Sequence, residues 1–247
     1  MPQRFSRRFG LVIVMALALL GLQACNHLPD KHVSLAPAEE TIWQPEDQLK
    51  WDLVKIPGKV TTQYSVVRLS NRSALMASAT SSASMLRKDL RIEPANLNRL
   101  IFSWQVQKLI EGADMAHRDH DDSPVRLVLA FDGDRSLFSQ KNAMLSELSH
   151  ALTGRPMPYA TLMYVWSNHH SVESVIHNPR TDRIRKIVVE SGAHRLKEWA
   201  SYERNIRQDY EKAFGEPPGA LIGIGLMTDS DNTRSHAQAW YGPIRLQ

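Results

Sequence analysis

Thr61-Thr-Gln-Tyr-Ser-Val-Val-Arg-Leu69 and Ala74-Leu-Met-Ala-Ser-Ala-Thr80 stand on either side of Asn71-Arg72. Both segments have strand-like length and composition, and the polar pair between them is turn chemistry, so the stretch is expected to be a β-hairpin. Segments of the same kind recur at Leu100–Leu109, Val125–Phe131, Thr161–Trp166, Ile184–Glu190, Leu221–Met227 and Ala237–Leu246. Eight candidate strands that do not alternate regularly with helices argue against a doubly wound parallel sheet. Two stretches ask to be helices. Glu198–Phe214 spaces Trp199, Tyr202, Ile206, Tyr210 and Phe214 by three or four residues and stops at Gly215 and Pro217-Pro218. Leu137–Leu152 places Phe138, Leu145, Leu148 and Leu152 similarly and ends at Gly154. The expected fold is mostly β: an antiparallel β-sandwich, jelly-roll-like, with two peripheral helices.

Outward from that core, the N-terminus reads as an address. Arg4, Arg7 and Arg8 precede an apolar run from Leu11 to Leu22, which is a secretory pattern too short to be a comfortable permanent span. Leu22-Gln23-Ala24-Cys25 resembles a bacterial lipobox, with Gln23 off the commonest pattern. That resemblance implies a signal over 1–24, lipidation of Cys25, and membrane lipid as a partner through its acyl chains, of which two or three hold far more firmly than one. Asn26 in place of Asp favours the outer membrane over the inner one, by analogy with enterobacterial sorting. Residues 25–46 carry Pro29, Pro37 and Pro45 without periodicity and read as a tether, leaving 47–247 as one domain. Cys25 is the only cysteine in 247 residues, which excludes disulfide scaffolds and cysteine-metal clusters. The formal charge of +4 falls to +1 once the signal is removed, and the remaining basic residues are interspersed with acids. A nucleic-acid partner is set aside on that ground.

No serine-nucleophile elbow, phosphate loop, zinc-protease motif or complete dinucleotide fingerprint is present. Three polar constellations remain. His117-Arg-Asp-His-Asp-Asp-Ser-Pro124 crowds carboxylates and imidazoles into a loop, where calcium or a transition metal competes with the blander reading of a solvated turn. Asp229-Ser-Asp-Asn-Thr233 follows a strand and lacks the glycine and glutamate of an EF-hand, so calcium or a ligand hydroxyl competes with a plain Asx turn. His169-His170, with Glu173 and His177 beyond, reads first as a loop and only second as a metal site. Trp104, Trp166 and Trp240 lie in expected strands, where a core position is the default and an exposed sugar-stacking face the alternative.

The blocks Asp121-Asp-Ser-Pro-Val-Arg126, Pro158 through Trp166, Arg183 through Glu190, Trp199 through Gly215, Leu226-Met-Thr-Asp-Ser-Asp-Asn-Thr233 and Ala239-Trp-Tyr-Gly242 resemble, in order, a bacterial family known only as a domain of unknown function. The resemblance runs from about Trp51 to Leu246 and implies a secreted or lipid-anchored envelope protein. The closing Ala239-Trp-Tyr-Gly-Pro-Ile-Arg-Leu246 bears a weaker likeness to the last strand of carbohydrate-binding jelly rolls, at fold level only. His117, His120, His169 and His170 fall outside these blocks.

The leading expectation is a non-enzymatic envelope module that binds a glycan or other polyhydroxylated ligand, with a structural calcium as its one candidate cofactor. The candidate binding residues are Asp121, Asp122, Arg126, Trp166, Asp229, Asp231 and Asn232; the calcium candidates are Asp229, Asp231 and Asn232, or Asp121 and Asp122. One rival is an envelope glycoside hydrolase in which Asp121 or Asp122 works with Asp229 as a carboxylate pair. The other is a scaffold acting through protein contacts alone.

Overall fold

The structure, a computed structural model, describes residues 40–247. The signal, Cys25 and the tether as far as residue 39 lie outside the described residues. Among the described residues, fourteen strands form two seven-stranded sheets. In chain order they are β1 (Thr41–Trp43), β2 (Asp52–Lys55), β3 (Gln63–Leu69), β4 (Arg72–Thr80), β5 (Ala83–Ile92), β6 (Arg99–Val106), β7 (Ser123–Phe131), β8 (Ala160–Ser167), β9 (Val175–His177), β10 (Ile184–Ser191), β11 (Ala200–Asn205), β12 (Leu221–Asp229), β13 (His236–Tyr241) and β14 (Ile244–Leu246). The helices are α1 (Pro45–Gln48), α2 (Gln140–Thr153) and α3 (Ile206–Phe214). No helix among the described residues is long and apolar enough to cross a membrane.

Sheet I runs β1-β14-β6-β13-β4-β3, with β11 also on β6; sheet II runs β2-β5-β12-β7-β8-β10-β9. All pairings between strands are antiparallel except β8 with β10. The result is the β-sandwich of jelly-roll-like kind that the strand pattern implied. The first hairpin forms, with its turn one residue earlier than expected: Arg72 already pairs with Leu69, and the two turn residues Ser70 and Asn71 take positive φ, the geometry that matches strand twist.

Period two decides what each face of sheet II does. Val125, Leu127, Leu129 and Phe131 of β7, and Leu162, Tyr164 and Trp166 of β8, point into the core against sheet I. There Phe102 stacks on Tyr164 across the two sheets at 5.5 Å, and Trp104 is wholly buried. Thr228 and Tyr241 form a polar link between the sheets, hydroxyl to hydroxyl at 2.8 Å, while the Tyr241 hydroxyl donates to the Met227 carbonyl. The intervening residues of the same strands face outward and carry the candidate site.

Several expectations need correction. The helix expected over Glu198–Phe214 is half strand: Ala200–Asn205 pairs with β6, and only Ile206–Phe214 is helical. Tyr202 satisfies both periods, and pairing opposite Phe102 in the sheet decides between them. The Asn205 side chain caps α3 by accepting from the Gln208 N–H, and Gly215 ends it at φ 73°. On these two elements Glu203 meets Arg99, and Arg207 donates to the Pro94 carbonyl. In α2 the expected apolar stripe is not the buried face. Leu148 and Leu152 are exposed, while Asn142 is buried, accepting from the Thr181 hydroxyl and donating to Asp182. At the end of the expected tether, Thr41–Trp43 already pairs with β14, and Trp43 packs edge-on against Trp51.

Candidate functional site

The outward face of sheet II is divided. One half is roofed by the loop of residues 107–122, which packs Met115 against Val165, Ile176 and Val188. Beneath that roof lies a charged network. Arg126 donates from Nε and Nη2 to the two oxygens of Asp229, both at 2.8 Å, and Nη2 also reaches the Asp121 carbonyl at 2.7 Å and its carboxylate at 3.1 Å. Lys186, with no exposed surface, donates to both Asp121 oxygens at 2.7 and 2.8 Å and to the Met115 carbonyl at 2.8 Å. Alternation brings these groups together: Arg126 on β7, Asp229 at the end of β12 and Lys186 on β10 all project from the outward face.

The carboxylates differ in their electrostatics. Burial would raise Asp121, but Arg126 and Lys186 outweigh it and hold the group below its ordinary value. Burial pushes Asp229 up to about 7 against the pull of the Arg126 guanidinium. Burial, aided by the neighbouring Arg126 charge, brings Lys186 down to about 8. Arg126 is held above its ordinary value, Asp229 and Asp121 outweighing its burial.

Most of the expected binding residues are thus brought together, in a closed arrangement. Asp122 accepts from Thr233 N–H and hydroxyl, each at 2.7 Å, and from Asn232 N–H at 3.2 Å, which fixes the loop after β12 to the loop before β7. Asp231 pairs with Lys59. Oxygens of Asp122, Asp229 and Asp231 lie within 4.8 Å of one another. A calcium ion needs six to eight oxygen ligands, whereas these are already committed to Arg126, Lys59 and backbone donors, so the residues do not fit that ion. Trp166 lies elsewhere, fully buried in the sandwich core with its indole N–H donated to the Gly192 carbonyl, and it offers no face for a sugar ring. Asp121 and Asp229 both touch Arg126 Nη2, so they stand close enough for a hydrolytic pair, but both are buried and do not open into a cleft.

The other half of the same face is open. A groove of about 220 Å³ is floored by Val128 and Ala130 of β7, Thr161 and Met163 of β8, and Gly223, Gly225 and Met227 of β12, with walls from Val54, Ile56, Met85, Met157 and Pro158. Gly225 has a structural cause: a Cβ there would lie 2.7 Å from Met85 Sδ and 3.0 Å from the Leu86 carbonyl. The groove adjoins a polar pocket of about 450 Å³ with which it shares Val54, Arg87 and Pro158, and which adds Asp52, Lys55, Ser149, Thr153 and Arg155. Asp89 bridges Arg87 at 2.9 Å and Arg155 at 2.5 Å; these cations outweigh burial and hold it below its ordinary value. Sequence reading missed this groove, because methionine, alanine and glycine on outward positions look like ordinary strand residues. The Gly223-Ile-Gly225 spacing was its one visible signal.

A family model described as "Protein of unknown function (DUF3047)" matches residues 49–245. No curated protein matches the chain. Among solved structures, the chain is similar to the xyloglucanase domain of NopAA, a type three effector from Sinorhizobium fredii, in complex with cellobiose, at 10% identity and TM-score 0.39 over 84% of this chain and 95% of that one. It is similar to the low affinity xylan binding module CBM86 from Roseburia intestinalis at 9% identity and TM-score 0.31, over 85% and 95%. It is also similar to the glycoside hydrolase domain of Endo-D from Streptococcus pneumoniae R6, at 9% identity and TM-score 0.34 over 84% of this chain, and spans only 21% of that chain's length. At such scores the likeness speaks to neither ligand nor reaction.

Proposed function

The chain belongs to the DUF3047 family, whose function is unknown, and we propose from its own geometry that it is a non-enzymatic binding module for a polyhydroxylated ligand carrying an apolar face or arm. The observation that carries this reading is the continuity of the open groove with the polar pocket. The methionine-rich floor suits apolar surface of variable shape. Lys55, Arg87, Arg155, Asp52, Ser149 and Thr153 suit hydroxyl and anionic groups at the adjoining end. A sugar presents both kinds of surface, and a glycan bearing an acyl arm presents them in the order the groove does.

In this reading lipidated Cys25 holds the protein at the outer membrane. The hydrolase reading is weaker, because catalysis would need both carboxylates open to substrate and water, and Asp121 and Asp229 are tied to buried cations. The test is binding of the mature chain to an array of free and acylated glycans, alongside Met85→Trp, which obstructs the groove at its rim, and Arg155→Ala, which empties the polar pocket. Binding that is saturable in the parent, at least tenfold weaker in each variant, and unaltered by Asp231→Asn supports the reading. Absence of binding to both glycan classes, or equal binding by Met85→Trp, overturns it in favour of a scaffold acting through protein contacts. The anchor is tested separately by Cys25→Ala, which is expected to release the protein from membranes; retention of a cleaved chain would contradict it.

A further inference from the structure

We propose that Asp114, His169 and His170, with His117 beside them, form a binding site for a divalent transition-metal ion of the zinc class, independent of the groove. Asp114 Oδ1 lies 2.8 Å from His170 Nε2; Asp114 Oδ2 lies 3.6 Å from His169 Nε2 and 3.9 Å from His117 Nδ1. One ligand atom from each of Asp114, His169 and His170 falls within 4.8 Å of the other two. Tetrahedral bonds of about 2.0–2.1 Å set neighbouring ligand atoms roughly 3.3 Å apart. The observed carboxylate–imidazole separations bracket that value.

The backbone that carries these groups is already fixed. Ser167, itself buried at the end of β8, accepts from the N–H groups of His169 and His170, at 3.3 and 3.0 Å, and so sets the turn that presents both rings. Asn168 Nδ2 donates to the Ile110 carbonyl at 2.7 Å, joining this turn to the roof loop. In that loop the Asp114 N–H donates to the His120 carbonyl, the His117 N–H donates to the Asp114 carbonyl, and the Ala116 N–H donates to Asp114 Oδ1 at 2.9 Å. Asp114 and His170 are about a quarter exposed and His169 and His117 more than half, so an ion has a route in from solvent.

The donor set selects the ion. Two or three imidazoles with a single carboxylate suit zinc, copper or nickel and offer too few oxygens for calcium. A bound ion would link the roof loop to the end of β8, and so hold down the loop that covers Arg126 and Lys186. Its role in this place is a structural clamp.

The test is titration of metal-stripped, tag-free mature protein with Zn²⁺ against a chromophoric chelator, followed by Co²⁺ as a spectroscopic probe. One equivalent of zinc, a raised Tm reversed by EDTA, and the intense visible absorption of four-coordinate cobalt are expected. His170→Ala and Asp114→Asn should each weaken binding by at least about tenfold, and His177→Ala, on β9 outside the cluster, should not. Circular dichroism of each variant separates lost ligation from lost fold. No stoichiometric zinc in the parent, the spectrum of hydrated cobalt, or unchanged affinity in folded His170→Ala and Asp114→Asn would each overturn the proposal.

Discussion

Two halves of one sheet face, built from the same strands, have opposite chemistry. The roofed half presents Arg126, Lys186 and Asp229 and closes them under residues 107–122; the open half presents Val128, Ala130, Met163, Gly223, Gly225 and Met227 and leaves them facing a groove. Arg126 and Val128 are two residues apart on β7, and Met227 and Asp229 two apart on β12. The difference teaches that conspicuous polar residues are not by themselves the place where a ligand binds. Charges carried on a buried face must be satisfied internally, and the set around Arg126 is satisfied. Small and flexible side chains leave room.

The comparison is broken most directly by Arg126→Met. Removing the guanidinium leaves Asp121 and Asp229 buried with fewer partners, a loss of about 3–5 kcal/mol. At about 2–4 °C per kcal/mol for a domain of this size, the Tm should fall by roughly 6–20 °C in a thermal melt. Replacing Arg126, Asp121 and Asp229 together by apolar residues of similar volume should recover much of that loss. If Arg126→Met melts with the parent, the network is not a structural one.

Acid titration ranks next. Glu173 accepts from Arg204 and Lys212, and these hydrogen bonds take its carboxyl from 4.5 down to about 2; Asp121 is also held low. A folded-state value below the unfolded one means stability fully present above about 4.5 and lost as pH falls towards 2. Asp229 has the opposite sign, since its raised value favours the folded state at low pH and costs stability as pH rises through about 7. Melts from pH 8 to pH 2 should therefore show a maximum on the mildly acidic side, and Glu173→Gln should flatten the acid limb.

Smaller effects belong to the open half. Arg155→Ala removes an exposed ion pair and should shift stability by no more than about 1 kcal/mol while weakening ligand binding. Calcium should leave the Tm unchanged, because the oxygens of Asp122, Asp229 and Asp231 already have partners.

How far the sequence discloses all this depends on where the partners lie. The hairpin around Asn71 and the strands beginning near Val125, Thr161, Ile184 and Leu221 are legible because their own period reveals them. β5 is not, since Arg87-Lys88-Asp89 interrupts its apolar pattern with groups that serve the groove rim and the solvent. β11 reads as helix because Trp199, Tyr202 and Ile206 are spaced for one, and only the partner strand β6, about 100 residues earlier, overrides that spacing. Asp121, Asp122, Arg126 and Asp229 are legible as a polar set, but their closure by Lys186 and the roof loop is a tertiary event 65 residues away for Asp121. The groove is assembled from single outward residues of several strands, so no local pattern records it.

The central claim, that ligand meets the open half and not the roofed half, is tested most directly by methyl NMR of residues 25–247 with labelled methionines. Met85, Met157, Met163 and Met227 line the groove; Met115 belongs to the roof loop, packed against Val165, Ile176 and Val188, and Met144 lies on the exposed side of α2. Titration with an acylated glycan is expected to shift the methyls of Met85, Met157 and Met227 and leave Met115 and Met144 in place; Met163 lines the groove but also packs against the Met115 cluster, so it does not decide between the halves. Shifts at Met115 with none in the groove would contradict the account.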